Sequence, residues 1–133
     1  MTGEETSTQP FAGALEALHR VLNREPEADE VLRQAVAVLH DRIPDYAWVG
    51  LSFVEGDELV LGPWVGAESA ASRRLDLAVS YGGQRIASLG VASSAADPFG
   101  EEEREFLERV TVLISAQCLV AWDTGGVPWR EVR

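Results

Sequence analysis

The chain has no lysine. Its 133 residues carry 11 bases, all of them arginine, against 22 acids, for a formal net charge of −11. No basic stripe runs through it, and neutralising phosphates needs clustered positive charge, so a nucleic-acid partner and an anionic membrane surface are both excluded. Cys118 is the only cysteine, which excludes an internal disulfide and fits a reducing compartment. His19 and His40 are the only histidines, and neither H-x-x-x-H nor C-x-x-C occurs, so no metal and no cofactor is expected. Long apolar runs are missing too. The longest uncharged one, Val110–Trp122, falls short of the roughly 20 residues that span a bilayer. The opening MTGEETSTQP has no basic or apolar region of the secretory type, and the chain reads as cytoplasmic. Neither G-x-S-x-G nor a P-loop pattern occurs, which removes the usual hydrolase and nucleotide signatures.

What is present describes one globular domain. An apolar fraction of 46% with 25% charged residues is ordinary for a folded soluble chain of this size. Residues 1–10 read as a disordered leader, 11–122 as the domain and 123–133 as a tail. Apolar residues at Leu15, Leu18 and Leu22 predict a helix from about Phe11 to Asn23. Pro26 opens a second helix, where its missing N–H is harmless, with Glu27, Asp29 and Glu30 at the positive end of the dipole. Ala28, Val31, Leu32, Ala35, Val38, Leu39 and Ile43 form its apolar stripe. YAWVGLSFV (46–54) and ELVLGPW (58–64) then make a hairpin about the Glu55–Asp57 turn. RLDLAVSY (74–81) and QRIASLGVAS (84–93) make another about Gly82–Gly83. Glu101–Glu103 open a last helix, with Gly100 as its N-cap and Phe106, Leu107, Val110, Leu113, Ile114, Gln117 and Ala121 facing inward. The order helix, helix, hairpin, hairpin, helix implies an α+β two-layer sandwich, an antiparallel sheet with the terminal helices on one face. A roadblock- or PAS-like α+β module shares that order.

The stretch LNREPEADEVLRQAVAVLHDRIPDYAWVGLSFVEGDELVLGPWVG resembles the first half of a GAF domain, a profilin-like fold. It is similar in particular to the free methionine-R-sulfoxide reductase branch, through the W-V-G strand leading into GDELVLGP. YGGQRIASLGVASSAADPFGEEEREFLERV resembles the closing hairpin and final helix of the same fold. In the reductases, several dozen residues between the hairpins roof the ligand cavity and carry the redox cysteines. Here Val65–Ser72 alone bridges them, and the segment after GPWVG reads AESAAS, without the thiolate that such chemistry needs. The family's substrate-gripping carboxylates fall on Arg74, Gly90 and Ala92. Trp48 stands where that branch places an aromatic cage residue; the cage position four residues on is Ser52.

The resemblance therefore implies a shortened, non-catalytic regulatory or interaction module, with no catalytic residues. GAF domains commonly pair through their terminal helices, so a homodimer is expected, with a protein partner as a further expectation. Two alternatives stand beside this reading. One is a small-ligand sensor with a residual pocket at Trp48, Ser52, Trp64 and Arg74; the other is a methionine-R-sulfoxide reductase-like enzyme. Alternation puts Val49, Leu51 and Phe53 toward the helices and Trp48, Gly50 and Ser52 on the other face. That second face, stripped of its roof, is expected to be covered by the tail through Trp129, by a second subunit, or by a ligand. Cys118 reads as a buried structural thiol, His19 and His40 as solvated, and Asp97–Glu108 as a helix start with its wet face.

Overall fold

The strands follow from β-branched and aromatic density, the helices from apolar spacing, and the turns from glycine. The computed structural model describes residues 3–122, and the side chains of 10–121. Helices α1 (Gly3–Arg24) and α2 (Ala28–Arg42) precede β1 (Tyr46–Glu55) and β2 (Glu58–Gly66). A single 3-10 turn, Glu68–Ala70, leads to β3 (Arg73–Tyr81), β4 (Gln84–Ser93) and α3 (Glu101–Trp122). Gly56 at φ 62° and the Gly82–Gly83 pair at 61° and 80° make the tight turns of the hairpins, a backbone region open to glycine at little steric cost.

The four strands form one antiparallel sheet in the order β2-β1-β4-β3, so the two hairpins join through β1 and β4. Val49, Leu51 and Phe53 of β1, Leu89 and Val91 of β4 and Val79 of β3 enter the core together with α2 and α3. The expected two-layer α+β arrangement is what forms, and α1 packs chiefly along α2.

Three helix readings are refined. The first helix begins at Gly3, within the stretch 1–10 that the sequence reads as a leader, and has Pro10 inside it. Its buried side chains are Ala14, Ala17, Leu18 and Val21, with Leu15 and Leu22 only half-buried. The small alanines let α1 lie close to its neighbours, a packing choice that apolar spacing alone does not reveal. In α2, Val36 joins the core and Val38 stays half-buried. In α3 the inward line runs Leu107, Val110, Thr111, Ile114, Cys118 and Ala121, leaving Leu113 and Gln117 half-buried. The expected tail, with Trp129, and the side chain of Trp122 lie outside the described residues.

The start of α3 is anchored. Phe99 takes a positive φ of 66°, and its N–H donates to Glu103 Oε1 at 2.7 Å, while the Tyr46 hydroxyl donates to Glu103 Oε2 at 2.6 Å. Glu103 thus ties the helix entrance to β1, so one member of the acidic run is structural. Burial, then the hydrogen bond and charge of Glu103, hold the Tyr46 phenol well above its ordinary pKa.

Candidate functional site

Strand register places the candidate residues in rows across the outer face of the sheet, away from the helices. The first row is Gly66, Trp48, Ala92 and Arg74; the second is Trp64, Gly50, Gly90 and Asp76. The third is Leu61, Ser52, Ser88 and Ala78. Trp48, Ser52, Trp64 and Arg74 therefore do share one face, as the alternation of β1 implies.

Their arrangement differs from an open cage. Trp48 is only 6% exposed. Its indole lies along the sheet over Gly50 and Gly90: a Cβ on Gly50 would come within 2.5 Å of the Trp48 ring, and one on Gly90 within 3.1 Å. Two glycines, paired across β1 and β4, make the floor that an aromatic ring needs to lie flat. Above it, the Arg74 guanidinium stands 4.8 Å from the ring centroid, within cation–π range. Arg74 is held on both sides. Its Nη2 donates to Asp76 Oδ1 at 3.0 Å, and its Nη1 pairs with Glu68 from the 3-10 turn. Partial burial works against the arginine's charge, but the hydrogen bonds to Asp76 and Glu68 outweigh it and raise its pKa.

The short link between the hairpins is thus a small strap. β2 runs on through Gly66, and the remaining turn delivers one carboxylate to the arginine that caps Trp48. Glu68, Asp76 and the two glycines were not among the residues picked out as the site. The glycines carried a signal, because Gly50 alternates onto the Trp48 face. The involvement of Gly90 depends on β1–β4 pairing, which local pattern does not give.

Beyond the ring the face is less polar and more open. Leu59 and Leu61 are exposed and Trp64 half-buried. Ser88, 4% exposed, has a buried hydroxyl with no hydrogen bond, beside Ser52. Cys118 is buried with its thiol pushed up to about 12 by desolvation, the opposite of an activated nucleophile. His19 is exposed, while His40 is half-buried against Gly66 and is less solvated than the sequence implies. No group of three or more metal-ligating side chains occurs among the described residues, and no described helix is long and apolar enough to cross a membrane.

No protein-family model matches the chain, and no curated protein does. Solved structures match it well. A protein from Burkholderia vietnamiensis described as a GAF sensor superposes with a TM-score of 0.75 at 18% identity, over 83% of this chain and 88% of that one. The free methionine-R-sulfoxide reductase from Neisseria meningitidis, in complex with its substrate, gives 0.72 at 18% identity over 84% and 92%. The GAF domain of a phosphoenolpyruvate-protein phosphotransferase from Coxiella burnetii gives 0.70 at 16% identity over 88% and 99%. With an antiparallel sheet of this order, helices on one face and these neighbours, the chain has the GAF fold, which sensor domains and sulfoxide reductases share.

Proposed function

We propose that this chain is a non-catalytic GAF-like regulatory module that works by protein–protein contact and pairs with itself. The observation that carries the reading is the Trp48 indole on Gly50 and Gly90 beneath the Arg74 clamp. The face where the resemblance puts a ligand is filled by the protein's own side chain. The one thiol lies in the core, and the position that would grip a substrate amine carries the cation of Arg74, which repels it. Self-pairing is supported by α3. Val112, Ala116 and Val120 recur every fourth residue on its outer side, with Val112 73% and Val120 57% exposed. No charge interrupts Val110–Trp122. Such a stripe on a surface helix is unfavourable in water unless it is covered.

Two measurements test this. Free methionine sulfoxide, supplied with a dithiol reductant, is expected to show no turnover above the uncatalysed rate; turnover that follows protein concentration would sink the reading. Sedimentation is expected to show a dimer that Val120→Glu dissociates. A strictly monomeric wild type would remove the self-pairing.

One observation favours a second reading, that of a small-ligand sensor: the orphan hydroxyl of Ser88 beside Ser52 on the outer face, since a buried hydroxyl without a partner is costly. A thermal-shift screen with amino acids and nucleotides separates the two, because a ligand that binds only the folded state raises the melting temperature with concentration. The interaction module predicts none.

A further inference from the structure

Resting on the filled face that carries the reading above, we propose that Trp48, Glu68 and Asp76 form a receptor for one guanidinium group, and that Arg74 is its ligand, supplied by the chain itself. A guanidinium compound from solution is kept out by Arg74 and admitted when that side chain is removed.

The receptor is assembled from separate parts of the sequence. Alternation along β3 sends Arg74 and Asp76 to the outer face two residues apart, and β4 sets Ala92 opposite Arg74 and Gly90 opposite Asp76. Both β4 residues are small, so nothing from that strand rises between β3 and the Trp48 ring. Guanidinium, carboxylate and indole converge over Gly90. A Cβ there would lie 2.9 Å from Arg74 Nη2, 3.0 Å from Asp76 Oδ1 and 3.1 Å from Trp48 Cζ3. Glu68 joins them from the 3-10 turn.

The chemistry of these contacts selects the ligand. Asp76 Oδ1 accepts from Nε–H at 3.2 Å and from Nη2–H at 3.0 Å, along one edge of the guanidinium, and Glu68 accepts from Nη1 beyond that edge. The flat face makes the remaining contact, 4.8 Å from the indole centroid. A ligand for this place is planar, carries donors on three nitrogens and bears a positive charge. Guanidinium meets all three conditions, whereas an ammonium, a point charge without edge or face, meets only the last. Two carboxylates surround one cation here. Without Arg74 they would stand unneutralised beside the indole, in a chain whose net charge is already −11. Arg73, next in the strand, alternates to the other face and does not refill the place.

The place is also reachable. The Arg74 side chain stays 41% exposed, and those of Glu68 and Asp76 50%, so a small cation can enter from solvent without opening the sheet. Tethering is what keeps one out of the wild type. A ligand joined to its own receptor acts at a high effective concentration, and a competitor sees only the fraction of molecules in which Arg74 has swung away.

Emptying the receptor and refilling it tests this. N-Ethylguanidinium reproduces the Arg74 side chain beyond Cβ, so it fits the space left by Arg74→Ala; binding is read by titration calorimetry at constant ionic strength. Arg74→Ala is expected to bind it saturably, and the wild type at least about tenfold more weakly. Ethylammonium is expected to bind Arg74→Ala at least about tenfold more weakly than ethylguanidinium does. Adding Asp76→Asn or Glu68→Gln to Arg74→Ala, both at exposed positions, is expected to weaken ethylguanidinium by a similar factor. No binding by Arg74→Ala would overturn the proposal. So would equal binding by the wild type, which puts the ligand elsewhere, or equal binding of ethylammonium, which marks charge attraction alone.

Should Arg74→Ala fail to fold, NMR of the arginine side-chain nitrogens in the wild type decides. Arg74 is expected to give separate Nη1 and Nη2 signals, because carboxylates on two sides stop the group from turning; one averaged signal would overturn the proposal. Turnover of methionine sulfoxide would instead strike the non-catalytic reading and leave the receptor standing, so the two failures can be told apart.

Discussion

Replacing Gly50 with alanine should lift the Trp48 ring from the sheet. The added Cβ would lie 2.5 Å from Trp48 Cη2 and 2.6 Å from Cζ2, with Trp64 Cβ only 3.1 Å away. Ordinary contacts between carbons lie near 3.5–4.0 Å, so the ring must move by roughly 1 Å. It cannot slide toward β2, where Trp64 stands, and must tilt outward against Arg74. Overpacking of this kind costs about 1–3 kcal/mol, and replacing a strand glycine returns about 0.5–1 kcal/mol. Gly50→Ala is therefore expected to destabilise by about 1–2 kcal/mol. Trp48→Ala alone removes a side chain that buries about 150–250 Å² and is expected to cost about 3–5 kcal/mol. In the double variant the methyl meets no ring, so the glycine substitution becomes close to neutral. Urea unfolding of the four proteins completes the cycle, with an expected coupling of about 1–2 kcal/mol. Additive effects would refute the picture of an indole resting on Gly50.

Arg74→Gln should uncover the indole, raising acrylamide quenching of Trp48 and lowering stability by about 1 kcal/mol, and Arg74→Lys should not restore it, because a point charge cannot replace a planar group bonded on two sides. Tyr46→Phe should cost about 1–2 kcal/mol in urea unfolding by deleting the bond to Glu103, while the Phe99 N–H keeps that carboxylate in place. The native state holds the Cys118 proton more tightly than the unfolded chain does, its pKa being raised from 9.0 to about 12. Stability from this group is therefore full below about pH 9 and is lost as pH rises toward 12. Urea midpoints should fall over that window and fall less in Cys118→Ala; identical slopes would contradict the buried thiol. Ellman's reagent should leave native Cys118 untouched at neutral pH and label it in denaturant.

The sequence alone determined the element order, the two tight turns and the α+β class. Apolar periodicity and turn glycines act over a few residues and need no distant partner. It also determined which face of β1 meets the helices, because alternation is fixed by the pleat. Only the tertiary structure decided what happens on the other face. β4 lies between β1 and β3 through contacts remote in sequence, and that order alone puts Gly90 beside Gly50 and Arg74 above Trp48. The same remoteness hid the burial of the α1 alanines, which depends on how closely the neighbouring helices approach. A ring can lie flat only where two neighbouring strands both lack a side chain, and that coincidence belongs to the pairing rather than to either strand.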